Sequence, residues 1–189
     1  MPQVEQLGTI QLETERLILR RFTLSDAEAI YKNWTSDDAV TQYLTWQTHQ
    51  SIADSKAFIE AVSAGYDDKT SYNWAICLKS NPDAPIGSIG LGRFNEALHS
   101  VEVGYALGKA WWRQGIMSEA FAAVISFAFK ELKINRLVAT HHLGNPNSGK
   151  VMEKCGLKYE GVLRQAGLDN QKRFVDLKQY SILATDYII

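Results

Sequence analysis

Residues Gly104–Ala120 constrain this chain more than any other stretch. A run of alternating character, Ser100–Leu107, ends in a short turn, and a long amphipathic helix begins at once. Met117, Phe121, Val124, Ile125, Ala128 and Leu132 fall at helical spacing in that helix. A strand feeding a helix in this way leaves the first helical N–H groups without partners, all at the positive end of the helix dipole. That is a cradle for a phosphate or diphosphate, and Gly115 lets the backbone come close to it. The same residues also read as a plain loop-to-helix junction whose first amides meet water.

Around this unit the chain alternates strands and helices. Leu17–Phe22 reads as a first strand, and Thr23–Asp26 as a cap before a helix holding Ala27, Ile30, Tyr31 and Trp34. Ser51–Ala64 reads as a second helix, and Tyr72–Leu78 as a strand followed by the turn Asn81–Pro85. Ile86–Phe94 and Ser100–Leu107 form a hairpin pair. Asn135–His142 is a strand, Pro146–Cys155 a helix stopped at Gly156, and Leu157–Gln165 and Arg173–Ala184 the last two strands. Antiparallel hairpins around one βαβ unit predict an α+β fold with a mixed sheet, in a single domain over residues 1–189.

Composition excludes several functions. A net charge of −1 and no basic run longer than a pair such as Arg20-Arg21 argue against nucleic-acid and membrane-surface partners. Met1–Glu15 has no apolar core of a secretory signal, and no apolar run approaches the roughly 18 residues of a membrane span, so a cytoplasmic protein is expected. Cys77 and Cys155 stand far apart and read as reduced thiols. His141 and His142 adjoin on a strand and face opposite ways, with no further ligands at metal spacing, so no metal is expected. Gly144–Val151 fits the Gly-x-x-x-x-Gly-Lys phosphate loop of nucleotidases. Val151 stands where a hydroxyl must hold Mg²⁺, and too little chain remains for such a core, which leaves Lys150 a surface lysine.

Glu102-Val103-Gly104-Tyr105-Ala106-Leu107, Trp112–Ala120, Asn145-Pro146-Asn147-Ser148 and Glu153-Lys154-Cys155-Gly156-Leu157 resemble the GCN5-related N-acetyltransferase (GNAT) superfamily, in its ribosomal-protein N-terminal (RimJ/RimL-like) branch. The resemblance runs from about Thr14 to Tyr187. It implies a centrally antiparallel sheet splayed between the fourth and fifth strands, flanked by about four helices. It also implies transfer of acetyl from acetyl-CoA to a primary amine by direct attack in a ternary complex. Of the family's diphosphate loop, only Gly115 in Trp112–Met117 matches outright. The implied diphosphate donors are the amides of Arg113, Gln114, Gly115, Ile116, Met117 and Ser118. The pantetheine arm would pair with backbone near Tyr105, Ala106 and Leu107, and Asn145 would bond one of its amides.

Alternation along Ser100–Leu107 sets Glu102 opposite the bulky apolar face, where it reads either as the general base or as a solvent-facing glutamate. Gly104 within the strand suggests a bulge or a close backbone approach. Ser148 is the expected partner of the leaving thiolate; many relatives use a tyrosine there. Asn145-Pro146 also reads simply as a helix start. Tyr43 and Trp46, in a segment that walls the acceptor pocket of the resembled family, and Phe94 at a strand end are the expected acceptor contacts. The expected acceptor is a protein N-terminal α-amine or a small amine such as an antibiotic, polyamine or amino acid. A non-catalytic acyl-CoA sensor and either a monomer or a homodimer are also consistent with the sequence.

Overall fold

A computed structural model describes residues 6–67, 69 and 71–187. Residues 1–5, which belong to the stretch read as lacking a secretory signal, lie outside the described residues. Eight strands form one sheet: β1 (Leu12–Glu13), β2 (Leu17–Arg20), β3 (Tyr72–Leu78), β4 (Gly87–Asn95), β5 (Ser100–Leu107), β6 (Arg136–His142), β7 (Lys158–Leu168) and β8 (Phe174–Leu183). Their order is β1-β2-β3-β4-β5-β6-β8-β7. The β5–β6 pair is parallel and its neighbours are antiparallel.

The helices are α1 (Ala27–Ile30), α2 (Asp38–Thr41), α3 (Ile52–Ser63), α4 (Ile116–Lys130) and α5 (Pro146–Lys154). The first of these differs from the single helix expected to hold Ala27, Ile30, Tyr31 and Trp34. After one α turn the chain widens into a π turn over Tyr31–Thr35. The hydroxyls of Thr35 and Ser36 each donate to the carbonyl five residues back, at 3.2 and 2.6 Å, which fits that wider turn. α2 is a short helix inside the expected connecting segment, capped by Asp37. α3 starts as the sequence indicates, with Ser51 and Asp54 exchanging side-chain and backbone bonds in a capping box.

The sheet separates two cores. Val101, Val103 and Leu107 of β5 pack with α4 and with Met152 of α5 in the larger one. Phe121 of α4 is fully buried there, with its ring 5.4 Å from Tyr105. Ala106 packs on the other face with Ile30, Trp34 and Ile59 from the first helices. Strand alternation places Glu102 and Gly104 on that same face.

Two features of the sheet set up the site. β5 and β6 pair in register from Ser100↔Arg136 to Val103↔Ala139 and no further. Beyond Val103 the strands part, at the place the resemblance implies: β5 and β6 are the fourth and fifth strands read from the sequence, which the short β1 precedes. The bulge, by contrast, is not at Gly104, which keeps register with Gly90. The irregularity lies between Gly92 and Asn95 of β4, where Arg93 has φ +50°. One extra residue there flips the alternation of the rest of the strand.

Candidate active site

The parted strands join two clefts on opposite faces of the sheet. One, of about 330 Å³, lies against the start of α4 and α5. The other, of about 760 Å³, lies against the first helices and the β7–β8 hairpin. Leu44, Tyr105, Ala106, Asn145 and Ser148 line both.

The smaller cleft is a place for an anion. Gly115 is the N-cap of α4 at φ +75°, a conformation that costs glycine little, and no side chain caps the helix. Arg113, two residues earlier, also has positive φ, at +61°. Among the described residues no protein acceptor meets the amides of Arg113 to Ser118. Three cations line this cleft, Arg113, Lys150 and Lys154, and no carboxylate among the described residues does. Arg16 backs the turn from outside: it donates to the Gln114 carbonyl at 3.1 Å and pairs with Glu119 of α4 at 2.7 Å.

Hydrogen-bond parity shows which β5 groups face the gap. Gly108 N–H donates to the Ile86 carbonyl, so Ala106 and Gly104, at two-residue steps, direct their backbone groups to β4. Tyr105 and Leu107 direct theirs into the gap. The Leu107 carbonyl is already taken by Trp112 Nε1 at 2.7 Å. Ala106, expected among the backbone contacts to the arm, instead contributes its methyl group to the far face.

Asn145 is the N-cap of α5, yet its side chain makes no capping bond. A mere helix start would use that side chain on its own amides; here it stands at the junction of the clefts. Beside it, the Tyr105 hydroxyl lies 3.0 Å from both the carbonyl and the Oγ of Ser148. Burial pushes the Tyr105 phenol well above its ordinary range, so it stays protonated.

Glu102 lines the larger cleft, a quarter exposed. Its carboxylate accepts from Arg93 at 2.9 Å and from the Thr140 hydroxyl at 3.1 Å. One lone pair on each oxygen is left over. A Cβ built on Gly104 or Gly92, on either side of Glu102, would meet nothing within 4 Å. These glycines therefore open space in the cleft and do not serve a close packing contact. Tyr43 lines the cleft with its ring 5.1 Å from that of His142, and Trp46 lines it while packing on Trp34 and Phe58. Phe94 is placed elsewhere. Its ring packs on Tyr72 at 5.2 Å, on the far side of the sheet, because the preceding bulge reverses the alternation.

The acetyltransferase (GNAT) domain family matches residues 16–158, three quarters of the chain. The chain belongs to the GNAT acetyltransferase family. It is 34% identical over 172 residues to the uncharacterized N-acetyltransferase YoaA of Bacillus subtilis (strain 168), covering 91% of this chain and 96% of that one. A solved GNAT acetyltransferase from Bacillus anthracis superposes with a TM-score of 0.79 at 27% identity, over 93% of this chain and 99% of that one. A shorter similarity, 30% over 80 residues, links it to the [ribosomal protein uS5]-alanine N-acetyltransferase of Escherichia coli (strain K12), covering 40% of this chain and 41% of that one.

As a GNAT enzyme the chain is an N-acetyltransferase with acetyl-CoA as co-substrate. The smaller cleft suits that molecule: unpartnered amides and three cations for a diphosphate, and two strand N–H groups for an extended arm. Sequence reasoning missed Lys154, Trp112, Arg93 and Thr140. Lys154 was within reach, since it stands four residues from Lys150 on one helix face. No described helix is long and apolar enough to cross a membrane, and no described cluster of three metal-ligating side chains occurs.

Proposed function

We propose that this enzyme acetylates the N-terminal α-amine of a protein or peptide, with the amine entering from the larger cleft. The observation that carries the reading is the junction itself: Glu102 stands on the acceptor face beside the gap through which the two clefts share Tyr105, Asn145 and Ser148. Gly92 and Gly104 leave room beside Glu102 for an extended backbone. Similarity to an acetyltransferase of a ribosomal-protein alanine supports the same class of acceptor.

The base adds to this. At pH 7 a lysine-like amine is only about 0.04% neutral, whereas an α-amine is roughly 14% neutral. Glu102, already holding Arg93 and Thr140, is suited to a proton passed through one water, and the α-amine asks least of it.

Bound acetyl-CoA supplies a thioester carbonyl and a thiol leaving group. The amides of Arg113 to Ser118, with Arg113, Lys150 and Lys154, hold its diphosphate end. Tyr105 and Leu107 N–H and the Asn145 side chain orient the arm. Glu102 takes the proton as the amine nitrogen bonds to the acyl carbon, the carbon–sulfur bond breaks, and the sulfur leaves as a thiolate that takes its proton from solvent. Ser148 Oγ, held by the Tyr105 hydroxyl, donates a hydrogen bond to the departing sulfur. The pair works as a donor and not as an acid, because a phenol pushed up by burial does not surrender its proton to a thiolate.

The test is acetyl transfer from acetyl-CoA to a panel of short peptides, blocked peptides carrying one lysine, and small amines. Free N-terminal peptides should give the highest kcat/KM. A polyamine or aminoglycoside turned over a hundredfold better than every peptide would overturn the reading.

A further inference from the structure

The charges lining the acceptor cleft do not balance. Besides the phenols of Tyr43 and Tyr105, its ionisable side chains are Arg93, Glu102, His141, His142 and Lys172. Arg93 is matched by Glu102 at 2.9 Å. Burial lowers the His141 pKa, so that ring is neutral at pH 7. Lys172 has no carboxylate partner among the described residues; its ammonium donates to the backbone carbonyl of Thr45, at 2.7 Å.

That contact is a long-range one and it is built. Lys172 sits at the tip of the β7–β8 hairpin with φ +63°. Asp169 rigidifies the tip: its carboxylate accepts from the Gln171 and Arg173 amides at 2.9 and 3.0 Å and pairs with the Arg173 side chain at 2.7 Å. Lys172 is thereby held out from a fixed turn, reaching across the cleft to the Thr45 segment between the helices. A neutral carbonyl is a weaker partner for an ammonium than a carboxylate is.

Resting on the terminal-amine reading above, we propose that Lys172 selects acceptors that carry an anionic side chain close to the amine, such as an N-terminus whose next residue is Asp or Glu. An acidic group on the acceptor would replace the Thr45 carbonyl as partner of the ammonium. The same unmatched positive charge opposes a polycationic acceptor and favours the neutral form of an amine in the cleft, the form that reacts.

The experiment measures kcat/KM for matched peptides with Asp, Asn or Lys at position two, and for aspartate α-amide against asparagine α-amide as small amines. The Asp peptide should exceed the Asn peptide by about three- to fivefold at low salt, as for a partly exposed ion pair, with the Lys peptide slowest and the preference fading as salt rises. Lys172→Met should bring the acidic and neutral peptides level, and Lys172→Glu should invert the order; a merely structural lysine would not invert it. Equal rates across acidic, neutral and basic acceptors in the unaltered enzyme overturn the proposal, as does a preference that survives both substitutions. If only the small amines react and the acidic one leads, the terminal-amine reading fails while the charge selection stands.

Discussion

The two clefts that meet at the β5–β6 gap are built by different means. The cofactor cleft is assembled mainly from main chain. Its proposed donors are amides of one continuous turn and the edge of one strand, and its charged side chains, Arg113, Lys150 and Lys154, are all of one sign. The acceptor cleft is assembled from side chains of segments far apart in sequence: Tyr43 and Trp46, Arg93, Glu102, Thr140 and Lys172. A backbone site depends on one conformation and tolerates exchange of side chains. A side-chain site depends on which residue stands at each of many positions, and small changes retune it. On the reading proposed above, the first holds the co-substrate and the second chooses the acceptor.

The largest expected effect tests the backbone half. Gly115→Asp would supply the amides of α4 with an acceptor of their own and set a negative charge against the diphosphate. Affinity for acetyl-CoA should fall about a hundredfold, the worth of one or two charge-assisted hydrogen bonds. Calorimetry reads this directly, and an affinity within threefold of the unaltered protein would remove the turn from the cofactor site.

Next comes the acceptor half. Glu102→Gln should lower kcat about a hundredfold while leaving acetyl-CoA affinity unchanged, and more steeply for a lysine-like acceptor than for a terminal amine. Should kcat hold with both amines, Glu102 is a strand glutamate and nothing more.

Tyr105 and Ser148 belong to both clefts, and they sharpen the contrast between them. Tyr105→Phe and Ser148→Ala should each lower kcat about five- to tenfold, and the double variant should be no slower than Ser148→Ala alone, because the hydroxyls act as one unit. Independent, multiplying effects would separate them. Since burial raises the Tyr105 pKa, kcat should stay level through pH 9–10, where an ordinary phenol begins to ionise; a falling limb there would identify Tyr105 as an acid.

The smallest effect is expected at Phe94. Its ring lies against Tyr72, away from the acceptor cleft. Phe94→Ala should leave kcat/KM within about twofold and lower stability by about 1 kcal/mol, seen as a modest drop in Tm. A tenfold rise in acceptor KM would put the ring in the cleft after all.

The sequence by itself determined the strand–turn–helix unit at Gly115, the face of Glu102 and the helix starts at Ser51 and Pro146. Each obeys local rules: helical period, strand alternation and capping chemistry act over a few residues. The strand-end position of Phe94 did not put it in the cleft: strict parity with Gly90 and Gly92 would turn it in, and one extra residue at Arg93 turns it out. A glycine inside a strand reads as a bulge or a close backbone approach, but a Cβ at Gly104 would meet nothing within 4 Å and the bulge lies on the neighbouring strand. Only the tertiary structure decided that Arg93 and Thr140 would hold Glu102, that Tyr105 would reach Ser148, and that Lys172 would find the Thr45 carbonyl across 127 positions of chain. Those pairings are set by the crossing of distant strands and loops, and no local period in a sequence encodes where two such segments meet.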